Sequence, residues 1–426
     1  MHRTQRALRK AERIGGPDAL NCIAEINEHA LEEAHYQGRK PSEGSGLPGE
    51  LLLRGVPILV KDNIDVQGMH TTAGSLALSD NIALSDAPVI RNLRRHGAVI
   101  LGKTNMTEFA NFVSPDMPGG YSSRGGMVKH AISDKADVAG SSTGSAVAVS
   151  SGIVSMAVGT DTCFSVIACA KFNGICALKP PVGTLSSEGI IPIARTLDSA
   201  GPMADTFVDA LRMYRAMRDE DFPDIKRASL DKLRIAVNTT NRDTLDRSEN
   251  SFIDKTVADL KKYGTIISEV SQPVEEKLYT IMKWEFKPML EAYLRTSTAS
   301  RKTLAEIVKF YEDNPKKMMK YGITHLRRAL DETPGGLMGD EYLETLRYRK
   351  NRIPEVRNEI EDFDAVIMTG PTSVMHFCGL PSVTIMGAEK DKNGVRRGLM
   401  MYGVDEKRLY AAALAIERLI LGGLDT

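Results

Sequence analysis

Three short segments carry side chains that could do chemistry. GSSTG (Gly140 to Gly144) puts Ser141 and Ser142 at the start of a run rich in Ala, Val and Ser. A helix starting there gathers hydroxyls and unpaired backbone N–H groups at one point. The pentapeptide also satisfies the G-x-S-x-G pattern with Ser142 central, but that elbow needs a strand running straight into it. The preceding SDKADVA is polar, and ordinary capping accounts for these serines equally well. TDTCFS (Thr160 to Ser165) follows an apolar strand and opens the helical VIACAKF. Ser165 then stands where several N–H groups converge, a geometry that stabilises an oxyanion during acyl transfer, although a capping serine has the same setting. Lys61 ends the apolar run Val56 to Val60. A lysine there snorkels to solvent unless it is buried. Burial disfavours the ammonium, and a fall of roughly three units makes the amine a usable base near neutrality. That shift corresponds to about 4 kcal/mol, which the fold must supply.

The elements that would position these groups alternate between strand and helix. The first forty residues read as helix, with Ala19, Ile23, Ile26, Ala30 and Leu31 at helical spacing, and a Gly/Pro/Ser-rich connector follows from Gly38 to Glu50. Val56 to Val60 reads as a strand, Ala87 to His96 as a helix, Ala98 to Asn105 as a strand, and MTEFANF as the start of another helix. A small-residue helix (about Thr143 to Gly152), a strand (Met156 to Gly159) and a short apolar helix ending near Gly174 make the centre. From Asp205 to about Arg357 the chain is mostly helical and charged, interrupted by strands at Lys232 to Val237 and near Ile266 to Val270. Strands at Asp364 to Thr369 and Leu380 to Gly387 and a helix from about Lys407 to Leu421 close the chain. This alternation indicates α/β architecture with a partly parallel sheet.

Composition narrows the function classes. Lys plus Arg and Asp plus Glu both total 55, so the 426-residue chain lacks the basic excess of a nucleic-acid binder. The longest low-charge run, Ser141 to Thr160, consists of small residues, so no membrane partner is expected. Five scattered cysteines without a CxxC pair suit free thiols in a reducing compartment. Eight histidines without HExxH, none within four residues of another, give no local metal site. The N-terminal MHRTQRALRKAERIGG has charges but no apolar core, so no secretory signal is expected and the location expected is cytoplasmic.

Taken together, LRGVPILVKDNI, HGAVILGKTNMTEFANF, AGSSTGSAVAVSSG, AVGTDTCFSVIACAKFNGICALKPPVG and GIIPIARTLDSAGPMADT resemble, in order, the signature blocks of the amidase signature family. CGLPSVTIMG and the closing helix extend the resemblance to the C-terminus. SSTGSAVAV, EFANF and the Asn of FNG are most similar to the peptide amidase branch. The resemblance implies an α/β/α sandwich: a large mixed, mostly parallel twisted sheet covered by helices on both faces. It implies one domain over residues 1–426, with an N-terminal helical segment (about 1–45) and a helical cleft-covering region (about 205–357). It places Lys61 on the catalytic lysine, Ser141 on the bridging serine that follows a cis peptide bond, and Ser165 on the nucleophile, 24 residues further on. Thr162, Cys163, Phe164 and Ser142 fall on the oxyanion and substrate-binding turns. The implied reaction is hydrolysis of a carboxamide C–N bond through a Ser–Ser–Lys relay and an acyl-enzyme on Ser165, with no metal and no cofactor. The implied partner is a small-molecule or peptide amide, and a homodimer is allowed.

One departure stands out. The family usually has small residues before the nucleophile, where this chain has Cys163 and Phe164. Losing glycine restricts the backbone and places a phenyl ring beside the acyl site. Loss of one oxyanion donor costs about 3 kcal/mol of transition-state stabilisation. Val166, Ile167, Cys169, Ala170 and Lys171 also replace the family's Ile-Arg and Pro-Ala-Ala, and the missing Arg argues against a glutaminase-type subunit. Three outcomes are open: an amidase with an altered acyl pocket, an acyltransferase, or an impaired scaffold. Cys163 is read as a packing or pocket-lining thiol rather than a nucleophile. Trp284, Phe286 and Tyr293 are read as cleft lining or, equally, as helix-packing core.

Overall fold

The structure, a computed structural model, describes residues 1–39, 51–334 and 336–423. The expected connector lies outside the described residues from position 40 to position 50. The chain opens with helix α1 (His2–Lys10), a π-helical turn, strand β1 (Ile23–Ile26) and helix α2 (Ala30–Arg39). Helix throughout the first forty residues is therefore corrected at β1. Its backbone pairs antiparallel with β3 (Val99–Thr104), and this tertiary partner overrides the helical spacing of Ile23 and Ile26. Strand β2 (Pro57–Lys61) and helix α3 (Pro88–Arg95) precede β3. EFANF does not start a helix. It forms a tight turn in which Phe109, Ala110 and Asn111 take φ of 43°, 53° and 74°, and the Phe109 N–H donates to Ala73 O at 2.8 Å.

A small hairpin, β4 (Tyr121–Ser122) and β5 (Gly126–Met127), leads to helix α4 (Thr143–Ser150), strand β6 (Met156–Asp161) and helix α5 (Ile167–Asn173). Strands β7 (Cys176–Lys179) and β8 (Ser199–Ala204) follow. The charged region holds α6 (Phe207–Met217), β9 (Arg234–Asn238), α7 (Arg247–Lys262) and β10 (Ile266–Val270). It continues through α8 (Leu278–Thr296), α9 (Leu304–Asp313), α10 (Pro315–Met318), α11 (Thr324–Asp331) and α12 (Asp340–Ile360). Strand β11 (Ala365–Met368), helix α13 (Val374–Phe377), strands β12 (Ser382–Lys390) and β13 (Arg396–Tyr402) and helix α14 (Glu406–Ile420) complete the chain. No helix among the described residues is long and apolar enough to cross a membrane.

Eleven strands form one mixed sheet in the order β1-β3-β2-β6-β8-β7-β12-β13-β11-β9-β10. Parallel pairing is confined to two blocks, β3-β2-β6 and β11-β9-β10, and the six remaining neighbour pairs run antiparallel. Strand alternation divides the interior into two cores. Ile58, Val60, Met156 and Val158 face α3, α6 and α14, while Leu59, Ala157, Val99 and Leu101 face α4, α5 and α8. The sheet thus has helices on both faces. Two residues beyond Leu59, the side chain of Lys61 points to the α4–α5 side, which is where the serine-rich turns lie.

Candidate active site

The three residues placed on the relay come from the end of β2 (Lys61) and from the turns that open α4 (Ser141) and α5 (Ser165). Lys61 is fully buried, and its Nζ lies 2.7 Å from Ser141 Oγ, 2.8 Å from Thr160 Oγ1 and 3.1 Å from Thr160 O. Burial pulls its pKa down from 10.5 to about 7, with Cys169, Asp161 and Asp198 opposing the fall. Thr160 O can only accept, and Thr160 Oγ1 already accepts from Asn63 Nδ2 at 3.0 Å. A neutral amine that gives its two N–H bonds to these acceptors turns its lone pair toward the Ser141 hydroxyl. The Gly140–Ser141 peptide is cis, as the resemblance implies.

Ser142 cannot serve as an elbow nucleophile. It is fully buried; its hydroxyl donates to Thr160 O at 3.0 Å and accepts from Thr160 N at 3.2 Å, and no strand runs into the turn. Its role is to lock the start of α4 onto β6. Gly144 lets the same turn close against the chain after β3 and before β1, because a Cβ there would collide with the carbonyl oxygens of Asn105 and Cys22. Asn173, the Asn of FNG, ties the segment before the serines to α5 through Val138 O at 2.9 Å and Cys169 O at 2.8 Å.

Ser165 lies at the mouth of α5 and is 6% exposed. Its carbonyl accepts from Ser142 N at 3.2 Å, which brings the two serine turns together. No hydrogen bond joins the hydroxyls of Ser141 and Ser165 among the described residues. Asp161, at the end of β6, accepts from Val166 N at 2.7 Å and Ile167 N at 3.3 Å and so caps α5. The half-buried Thr162 to Phe164 turn divides its work. Thr162 Oγ1 donates to Asp198 Oδ1 at 2.6 Å, and Asp198 Oδ2 accepts from Ile193 N and Ala194 N at 2.9 and 3.0 Å. Burial pushes Asp198 up to about 7, against the pull of those donors. Burial first, then Asp161, pushes the Cys163 thiol up to about 12, so it is protonated at neutral pH and suited to packing.

Phe164 adopts φ 67°, so the side chain has not removed the left-handed conformation that a glycine would supply. For an L-residue that conformation costs roughly 1–2 kcal/mol. Two contacts with His376 of α13 offset it: Phe164 N donates to His376 Nε2 at 3.1 Å, and the two rings meet edge to face at 4.5 Å. His376 is fully buried, and its Nδ1 lies 3.4 Å from Asp161 Oδ1. Burial lowers its pKa to about 4; Asp161 opposes the fall and Lys179 adds to it.

Sequence reasoning missed His376, Asp161, Asp198 and Thr160. Asp161 carried a readable signal, an acidic cap just before an apolar helix. His376 showed only as a lone histidine in the apolar TSVMHFCGLP, more than 200 residues from the turn it meets. Of the aromatic trio, Phe286 is core between Phe109 and Phe112, and Trp284 is buried against Tyr342. Tyr293 donates to Asp65 Oδ1 at 2.7 Å. None of the three lines the small pocket beside the relay, which is bounded by Asn63, Ala110, Thr160, Thr162, Ile191 and Asp198.

Residues 4–379 match the family model described as Amidase. A probable amidase of Arabidopsis thaliana is 30% identical over 435 residues, covering 94% of this chain and 83% of that one. A glutamyl-tRNA(Gln) amidotransferase subunit of Streptococcus pneumoniae is 35% identical over 273 residues, 60% of this chain and 54% of that one. Among solved structures, the peptide amidase of Stenotrophomonas maltophilia superposes with a TM-score of 0.87 at 31% identity, covering 98% of this chain and 93% of that one.

Proposed function

The chain belongs to the amidase family, and on that premise we propose that it hydrolyses a linear carboxamide or peptide amide through an acyl-enzyme on Ser165. Neutral Lys61 takes a proton from Ser141, which in turn takes one from Ser165 as its oxygen attacks the amide carbon. The relay returns the proton to the departing amine, and water resolves the ester. The observation that carries this reading is Lys61: fully buried, 2.7 Å from Ser141 and held near neutrality by its surroundings. Ile190, Ile191 and Ile193 give the small pocket beside Thr160 and Thr162 an apolar wall, which suits an apolar group next to the scissile amide. The likeness to a peptide amidase supports a carboxamide of that class. The whole chain acting as one unit belongs to the same proposal, supported by one sheet that draws strands from Ile23 to Tyr402. So does a cytoplasmic location, which the five free thiols favour.

A fluorophosphonate probe tests the reading. Labelling mapped by mass spectrometry to Ser165, lost in Ser165→Ala and strongly reduced in Lys61→Ala, is the expected result. A second reading, an impaired scaffold, is favoured by one observation: Phe164 N, in the turn that would hold the oxyanion, already donates to His376. Absence of labelling under any condition would establish that second reading.

A further inference from the structure

We propose that His376 is a positioning residue that sets which backbone donors of the nucleophile turn face the acyl site. The inference rests on the amidase reading and concerns how the turn before Ser165 keeps working with a phenylalanine in it. An N–H bond points one way. That of Phe164 points at the Nε2 of a fully buried ring, so it is turned into the protein and is closed to a ligand entering from the cleft. The N–H groups of Val166 and Ile167 are held by Asp161. Among the described residues, the N–H groups of Thr162, Cys163 and Ser165 have no protein acceptor. They flank the captured amide and are the donors left for an oxyanion.

The histidine is itself fixed from three sides. An Nε2 that accepts from an amide carries no proton, so the ring proton sits on Nδ1, facing Asp161 Oδ1 at 3.4 Å. Neither of those two atoms has a hydrogen-bond partner, so the contact between them is electrostatic. The other oxygen of the same carboxylate caps α5, which begins two residues after Ser165, so one carboxylate lies against the ring and holds the helix behind the nucleophile. Helix α13 is anchored in turn by Arg349 of α12, whose Nε donates to Phe377 O at 2.6 Å. The edge-to-face contact with Phe164 leaves the ring little rotational freedom. Phe164 and His376 therefore act as a pair: the side chain that departs from the family's small residue brings with it the acceptor that holds its own amide.

The test uses the full chain and a fluorophosphonate, whose phosphoryl oxygen occupies the oxyanion site as Ser165 Oγ displaces fluoride from phosphorus. In His376→Leu the acceptor is lost, the Phe164 amide is freed and the turn loosens. The labelling rate at saturation is expected to fall about tenfold or more, with the half-saturating probe concentration changed less than about twofold. His376→Gln places an oxygen close to the Nε2 position and is expected to recover the rate to within about threefold of wild type. An unchanged rate in the leucine variant, or a glutamine variant no better than leucine, would overturn the proposal. Nitrogen-15 NMR of histidine-labelled wild-type protein decides the matter even if the leucine variant does not fold. The expected result at neutral pH is an unprotonated Nε2 coupled across the hydrogen bond to the Phe164 amide, and a protonated Nε2 would sink the idea. Wild-type protein that fails to label at Ser165 yet shows that coupling would defeat the amidase reading while leaving this hydrogen bond standing.

Discussion

Two fully buried lysines stand on adjacent strands of the same sheet, where Lys61 pairs in register with Thr104, the residue after Lys103. Burial lowers the pKa of both. Their partners separate them. Lys103 Nζ meets His70 O at 2.8 Å, Thr71 Oγ1 at 3.2 Å and the carboxylate of Asp62 at 3.8 Å, with Asp65 and Glu25 adding negative field. That set suits an ammonium. Lys61 Nζ meets a carbonyl and two hydroxyls and touches no carboxylate, and one of those hydroxyls, on Ser141, can hand it a proton. Two lysines of equal burial thus serve different ends, one closing the structure and one poised to exchange a proton.

Substituting each lysine tests this contrast most strongly. Lys61→Met should lower kcat/KM for amide hydrolysis by about 10²–10⁴-fold, the range of general-base contributions, whereas Lys103→Met should stay near wild type per folded molecule. Steady-state kinetics normalised to folded protein reads the difference, and equal losses in both variants would erase the distinction.

Stability should move in opposite directions. Lys103→Met leaves Asp62 with Arg124, at 3.5 Å, as its one cationic neighbour among the described residues and should cost about 3 kcal/mol in urea unfolding. Lys61→Met removes a group whose folded pKa, about 7, lies below its ordinary 10.5. Below pH 7 both folded and unfolded lysine are protonated and the burial penalty is full; it fades as pH rises from about 7 to 10.5. At pH 7 the methionine variant should therefore be the more stable by about 2–4 kcal/mol, and its advantage should shrink as pH rises. A Lys61→Met protein less stable than wild type at pH 7 would mean that the lysine's hydrogen bonds outweigh its desolvation.

The smallest effect sharpens the contrast further. Activity should rise with pH through a midpoint near 7 as Lys61 loses its proton. Asp198 raises that pKa, so Asp198→Asn, which keeps one oxygen for the turn, should move the midpoint downward by less than about one unit. A midpoint that moves upward would place the titration elsewhere.

Much of the site was legible because its signals are local. Lys61 at the end of an apolar strand and Ser141 and Ser165 at helix-opening turns can be read within a few residues of each position, and the spacing of the blocks places them on one family pattern. The contrast between the two lysines was not legible, since HGAVILGKTN reads as apolar strand and lysine just as LRGVPILVK does. What separates them is the placement of Asp62, His70 and Thr71. EFANF read as helix because its apolar spacing carries no sign of the Ala73 carbonyl that pins Phe109 in a turn. Strand β1 was hidden for the same reason: a four-residue edge strand acquires its identity from the neighbour it pairs with.

The amino-acid order by itself determined the family, the alternating α/β plan, and Lys61, Ser141 and Ser165 as the residues to watch. These depend on residue type and short-range spacing, which a chain carries before it folds. Tertiary structure alone decided that Lys61 loses its water without gaining a carboxylate, and that Phe164 in its left-handed turn finds an acceptor in His376. Desolvation and the direction of an N–H bond are properties of a packed surrounding, and those surroundings are assembled from segments as much as 200 residues apart in sequence.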